Sequence, residues 1–311
     1  MKKVLITGDF DIDRAVFPNN IEPIHIRRPV DEQQLLELLP DVHAYILGGP
    51  EYLSVRLIDK ATQLRHVVVM GTGIAGFVDV DYATKKSIHL SNTPYMNVQA
   101  VTEFTLAMLT ICLAKVPESI EGVKEGGGWI QTPRPSLLDL SIGFVGMGAI
   151  GTEMAHQLHL RGCSRMTYWS RTRKPELEKN LSMTYAFPKD IVGTMDVVCI
   201  HLAACPETRY LINEDVLKGA RPAIKIFNMS SPWIICPVAL KDFLCTHQEA
   251  FCYIDGYYNE WVKNRGQFKD PYGLLSLPSK NLLVTSHLAA QEQGTISAIF
   301  AKAVKQVIDF P

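Results

Sequence analysis

No apolar run in this 311-residue chain approaches the roughly 18 to 20 residues that a membrane-spanning helix needs. The opening MKKVLITGDF reads as a strand and not as a signal peptide, so the cytoplasm is the expected location. A surplus of either charge is also missing: 31 Lys+Arg stand against 32 Asp+Glu, a formal net charge of -1. Such a chain has no general attraction for polyanions, and neither nucleic acid nor a membrane is an expected partner. The seven cysteines (Cys112, Cys163, Cys199, Cys205, Cys236, Cys245, Cys252) form no CxxC pair and no ligand spacing. Most lie in apolar segments such as VVCIHL and FLCTHQEAFCYI, which predicts reduced, mostly buried thiols. His156 and His159 make an HxxH, but no cysteine or carboxylate set completes a metal site. Repeats and low-complexity stretches are absent as well.

What is present is a rhythm. The length exceeds that at which single cores split, so two domains are expected. Over the first hundred residues short apolar runs alternate with helical patterns: VLITG, DEQQLLELLP, AYILGG, LSVRLIDKA, HVVVMG. This is the βαβ pattern of a parallel sheet covered on both faces. A long apolar helix, AVTEFTLAMLTICLAKV, then precedes a second alternation. Its strands are SIGFVGMG, MTYWS, DVVCIHL, AIKIFNMS, FCYIDGY and LLVTSH, and it predicts a second, larger parallel sheet. The closing QEQGTISAIFAKAVKQVIDF has helical spacing and is expected to pack back on the first domain.

One loop carries chemistry. Gly146, Met147, Gly148, Ala149, Ile150 and Gly151 spell GxGxxG between the apolar strand IGFV and the helix AIGTEMAHQL. In that setting the first glycine permits a tight turn, the second lets backbone approach a pyrophosphate, and the third lets helix and strand pack closely. The helix N-terminus then faces the anion. For NAD, a carboxylate about 20 positions on would pair with the ribose 2′-hydroxyl. This chain instead has Ser170, Arg171, Thr172 and Arg173. Two guanidiniums beside a small hydroxyl suit a 2′-phosphate, so NADP is the expected cofactor with NAD as the alternative. The same residues also read as a solvated turn.

Taken together, GTGIAGFVDVD, SNTPYMNVQAVTEFTLAML, IGFVGMGAIG, DVVCIHLAACPETRYLIN, IDGYYNE and LLVTSH make the chain resemble the D-isomer-specific 2-hydroxyacid dehydrogenases over nearly its whole length. That family includes glyoxylate and hydroxypyruvate reductases and phosphoglycerate dehydrogenase. The resemblance implies three catalytic roles. His287 in VTSHLAA, preceded by Ser286 where proline is usual, takes the histidine that exchanges a proton with the substrate carbonyl. Glu260 takes the glutamate that orients it. The third role belongs to an arginine, written N-x-x-R-G, that holds the substrate carboxylate. Here Asn228, Met229, Ser230, Ser231 and Pro232 leave Ser231 in that place, a short neutral donor instead of a charged fork. Pro232 and Cys236 depart from the family's glycine and aspartate, and Arg209, Arg221 or Arg265 remain alternative sources of a guanidinium.

The resemblance further places Asn228 and Asp255 at cofactor contacts, Asp255 holding the nicotinamide amide. The amides of Gly73, Ile74, Ala75 and Gly76 fall where the family binds the substrate carboxylate, in a loop one residue longer than usual before Asp79, with Phe77 able to intrude. The segment NEWVKNRGQFKDPYG is several residues longer than in common members and adds Trp261, Phe268 and Tyr272.

The expected architecture is α/β: two Rossmann-like, doubly wound parallel-sheet domains with the first discontinuous. Residues 1–98 plus 289–311 form a flavodoxin-like substrate domain and 99–288 the NAD(P)-binding domain, with the cleft between them and a homodimer through the coenzyme domains. Two functions fit. One is an NAD(P)-dependent oxidoreductase acting on a 2-keto acid or related carbonyl compound with an atypical substrate site. The other is a catalytically inactive NAD(P)-binding homologue serving as a sensor or partner-binding protein.

Overall fold

Two wholly parallel sheets carry the fold. The structure is a computed structural model that describes the chain apart from residues 28–29, 127, 130, 132 and 259–268. The first sheet holds β1 (Lys2–Thr7), β2 (Ile21–Ile26), β3 (Ala44–Leu47), β4 (His66–Val69) and β5 (His89–Asn92) in the order β2-β1-β3-β4-β5. The second holds β6 (Ile142–Val145), β7 (Met166–Trp169), β8 (Thr184–Tyr185), β9 (Val197–Ile200), β10 (Lys225–Asn228), β11 (Phe251–Asp255) and β12 (Leu282–Thr285), ordered β12-β11-β10-β9-β6-β7-β8. This is the expected α/β class. Both sheets reverse strand order once, at β1/β3 and at β6/β9, and such switch points are where doubly wound sheets bind ligands.

Contacts divide the described residues into two units. One comprises Met1–Asn97 and Gln291–Pro311, the other Val98–Tyr258 and Asp270–Ala290. In the first unit, helices α1 (Glu32–Leu38), α2 (Val55–Lys60) and α3 (Val80–Lys85) connect the strands. The starts of α1 and α3 are written locally: Asp31 accepts from Gln34 N at 2.8 Å while Gln34 Oε1 accepts from Asp31 N, and Asp79 accepts from Tyr82 N. Along β1, Leu5 enters one core with Tyr45 and Val67, while Val4 and Ile6 enter another with Val68. Alternate residues thus bury on opposite faces, which is why the strand reads as an unbroken apolar run. The C-terminal helix Gln293–Asp309, capped by Glu292, covers the second of these faces with Phe300, Ala303, Val304 and Val307.

In the second unit, α4 (Val98–Leu113), α5 (Val116–Lys124), α6 (Ala149–Leu160), α7 (Pro175–Leu181), α8 (Pro188–Thr194), α9 (Glu214–Lys218) and α10 (Pro237–Thr246) flank the larger sheet. Val145, Val198, Ile200 and Ile226 pack on one face; Phe144, Val197, Cys199 and Phe227 pack on the other. The cysteines are less uniform than expected. Cys163, Cys199 and Cys252 are buried, but Cys112, Cys205 and Cys236 are half-buried and Cys245 is exposed, and all seven are free.

Candidate active site

The glycine loop sits at the β6/β9 switch point. Val145 pairs with Ile200 in register, so the chain leaving β6 meets the end of β9. Gly146 turns there with φ +107°, and a Cβ on it would lie 2.4 Å from the His201 carbonyl oxygen. A Cβ on Gly151 would lie 2.2 Å from the Gly146 carbonyl oxygen, so helix and strand meet only because both side chains are missing. Gly148 differs: a Cβ there would meet nothing within 4 Å among the described residues, which leaves its backbone open to a ligand. It is the N-cap of α6, whose first turn has neither a side-chain cap nor an acidic residue. Uncapped amides at the positive end of a helix beside an open glycine fit a pyrophosphate. Met147 is buried beneath the loop, while Ala149 is exposed and Ile150 half-buried.

At the end of β7 the two arginines part company. Arg173 is held by Glu178 in a bidentate pair of 2.7 and 2.8 Å and lies over the Tyr185 ring. Hydrogen bonds from Arg173 and Tyr168 hold the Glu178 carboxyl down to about 2. Arg171 is exposed and has no hydrogen bond or ion pair among the described residues. Ser170 is buried and donates to the Thr172 carbonyl at 2.7 Å.

The loop after β10 is stitched to itself. Asn228, fully buried, accepts from Ser230 N at 3.0 Å and donates to the Ser231 carbonyl at 3.2 Å; Ser230 Oγ receives Leu202 N at 2.7 Å. The Asn228 side chain thereby shapes this loop. Ser231 caps the 3-10 turn Pro232–Ile234 without a side-chain hydrogen bond. Two residues on, Trp233 carries the Arg209 guanidinium at 4.3 Å from its ring centre, with Tyr210 on the same cation at 4.6 Å. Backbone bonds from Tyr210 N to Trp233 O and from Ile212 N to Ile234 O tie these segments together. Arg221 is placed elsewhere: it binds Asp196 and the Thr194 carbonyl at the opposite, amino-terminal edge of the sheet. Arg265 and Glu260 lie outside the described residues, as do Trp261 and Phe268.

His287 follows β12 on an exposed turn with φ +60°, a left-handed conformation uncommon outside glycine and asparagine. Asp255, at the end of β11, is 4% exposed and accepts from Thr285 Oγ1, Leu288 N and Ala289 N at 2.7, 2.7 and 2.8 Å. Sequence reasoning missed this arrangement, which becomes visible only once β11 and β12 pair and bring Asp255 opposite Thr285.

In the first unit, the loop after β4 presents four consecutive amides. Gly73, Ile74, Ala75 and Gly76 donate to no acceptor among the described residues. The loop is pinned at its base by Gly71 N to Thr93 Oγ1 and Asn92 Nδ2 to Thr72 O. Ile74 and Phe77 pack against the core of their own unit. A row of free amides of this kind suits an anion.

His201 was also missed. It sits against the glycine loop, 8% exposed, with neither ring nitrogen hydrogen-bonded among the described residues. Burial pushes it down to about 4. An unfolded histidine titrates near 6.5, so between about pH 6.5 and 4 the unfolded chain takes up a proton that the folded one refuses. Stability is therefore expected to fall with pH across that window, by roughly 3 kcal/mol from this residue. Urea unfolding at pH 7.5 and 5 should show the loss, and His201→Leu should shrink it; an identical pH dependence in the variant would contradict the assignment.

Comparison with known proteins places the chain in a family. Residues 106–289 match the family described as D-isomer specific 2-hydroxyacid dehydrogenase, NAD binding domain. Glyoxylate reductase from Aeropyrum pernix is 35% identical, covering 96% of this chain and 91% of that protein. Glyoxylate reductase from Thermococcus kodakarensis is 27% identical over 96% and 92% of the two chains. D-lactate dehydrogenase from Aquifex aeolicus, solved with NAD and lactic acid, superposes with a TM-score of 0.82 at 18% identity, covering 98% of this chain and 94% of that one, and shows the same fold. An open glycine loop at the switch point, a family model spanning well over half the chain and a relative above 30% identity lead to one conclusion: the chain belongs to the D-isomer specific 2-hydroxyacid dehydrogenase family.

Proposed function

We propose that this protein is an NAD(P)-dependent oxidoreductase that reduces a 2-keto acid or related carbonyl compound, with an atypical substrate site. The observation that carries the reading is the Gly146–Gly151 loop, with its open glycine and uncapped helix N-terminus, on a chain that retains a histidine at 287. A bound nicotinamide supplies the hydride. The chain holds the pyrophosphate on the first turn of α6 and gives a proton to the carbonyl oxygen from His287, with Glu260 as its partner. The free amides of Gly73–Gly76 serve as an anion-binding element. Ser231 replaces a charged fork with one neutral donor, so the favoured substrate is not a small 2-keto acid clamped at its carboxylate.

The test is NADPH and NADH oxidation against glyoxylate, hydroxypyruvate, larger 2-keto acids and neutral ketones or aldehydes. Turnover of any of them supports the enzyme. Saturable cofactor binding without turnover of the whole panel favours the second reading, an inactive NAD(P)-binding homologue.

NADP is the proposed cofactor, and the pairing of Arg173 with Glu178 puts the weight on Arg171 and Ser170. One charged hydrogen bond contributes about 1.5–3 kcal/mol. Arg171→Ala is therefore expected to raise the KM for NADPH about 10-fold or more while leaving that for NADH within about twofold. Equal changes for both cofactors would contradict the assignment.

The reading includes a homodimer. Val116, Ile120 and Val123 of α5 are 36, 49 and 56% exposed, an apolar row one helical face wide. Light scattering should give twice the chain mass, and Ile120→Glu should halve it; a monomer in the unmodified protein would contradict this part of the proposal.

A further inference from the structure

We propose that Asp255 is a positioning residue for His287, acting on the turn that carries the imidazole. The inference rests on the reading of His287 as the proton donor. Strands β11 and β12 pair in register so that Asp255 stands opposite Thr285. From there the carboxylate holds both sides of the turn. Oδ1 accepts from Thr285 Oγ1 on the entering side, and Oδ1 and Oδ2 accept from Leu288 N and Ala289 N on the leaving side, all within 2.8 Å. Thr285 Oγ1 is bonded in turn to the Tyr253 hydroxyl, and the Thr285 carbonyl receives Gly256 N at 2.9 Å. Between these anchors only Ser286 and His287 are left, and His287 takes φ +60°.

A left-handed histidine persists only where its surroundings over-determine it. Here three donors from the two sides of the turn converge on one buried carboxylate. Two of these bonds engage Oδ1 and one engages Oδ2, so the turn takes three of the roughly four acceptor sites of the carboxylate and leaves one on Oδ2 for a cofactor contact. The two roles predict different losses. A cofactor contact sets cofactor affinity, whereas a positioning role sets the proton-transfer step and leaves affinity alone.

The experiment compares Asp255→Asn and Thr285→Val with the unmodified protein. The asparagine amide group has no acceptor for one of the two backbone N–H groups, and the valine removes the hydroxyl while leaving the carboxylate in place. Three quantities are read: the NADPH Kd by fluorescence, kcat across pH, and the His287 imidazole resonance, identified by its loss in His287→Ala. The expected result is a kcat lowered more than tenfold in Asp255→Asn and less in Thr285→Val. The pH profile should shift, the imidazole resonance should move or broaden in both variants, and Kd should stay within twofold. A Kd that rises in step with the loss of kcat would overturn the proposal in favour of a cofactor contact. An imidazole resonance unchanged in both variants would overturn it whether or not turnover is measurable. Should His287→Ala retain full turnover while the resonance still responds to Asp255, the reading of His287 as donor fails and the positioning inference stands.

Discussion

Replacing His287 with alanine is expected to lower kcat for the best carbonyl substrate by about 100- to 10,000-fold, the range that a positioned general acid contributes. The physical basis is that hydride arrival puts negative charge on the carbonyl oxygen, and a proton delivered during that step avoids a free alkoxide. An imidazole suits the task because its ordinary pKa lies near neutrality, so protonated and neutral forms are both accessible. His287 is exposed on its own unit and stands on a turn that three hydrogen bonds to Asp255 define. The alanine variant should bind NADPH as the unmodified protein does, because the glycine loop is built by other elements. Steady-state kinetics and fluorescence titration on the same preparation check both halves. A variant with unchanged kcat would remove His287 from the mechanism.

The second large effect concerns Gly146. An alanine there must hold φ near +107°, a region that costs a side chain roughly 1–3 kcal/mol, and its Cβ would come within 2.4 Å of the His201 carbonyl oxygen. That oxygen belongs to the chain leaving β9 and is not the end of a flexible side chain, so relief requires the backbone of the loop or of β9 to shift. Since domains of this kind are stable by only about 5–15 kcal/mol, the substitution takes a large fraction of that margin. We expect Gly146→Ala to lower the melting temperature clearly and to abolish saturable NADPH binding. Gly148→Ala is the instructive contrast. Its Cβ meets no atom of the described residues within 4 Å, so stability should be nearly unchanged while cofactor affinity falls, because the added methyl occupies ligand space. Thermal unfolding with and without NADPH separates the two variants. Equal behaviour would mean that the loop does not approach the dinucleotide as described.

How much of this was legible in the sequence follows from where each residue sits. Central strands such as β3, β4, β6 and β9 have both faces covered, so they read as short apolar runs with no alternation to decode. The strands that escaped notice are at sheet edges. β2 contains Pro23, tolerated where one row of backbone groups has no neighbour; β5 is the polar HLSN; β8 is two residues long. At the site, the glycines were readable because Gly146 and Gly151 each meet a steric demand that only glycine satisfies, while Gly148 completes the spacing. The partner of Arg173 was not singled out, although Glu178 lies only five residues on, because RTRK looks the same whether its guanidiniums are free or engaged. The convergence of Thr285, Leu288 and Ala289 on Asp255 depends on the pairing of β11 with β12, which no local pattern encodes. The isolation of His201 likewise arises from tertiary burial at the switch point.

The most direct measurement follows a deuterium atom. NADPH labelled with deuterium on the transferring face of nicotinamide C4 should be incubated with the protein and the carbonyl panel, and the products examined by mass spectrometry. A hydroxy product one mass unit heavier than with unlabelled cofactor is expected, formed by the unmodified protein and nearly lost in His287→Ala. Saturable NADPH binding with no label in any product would contradict it.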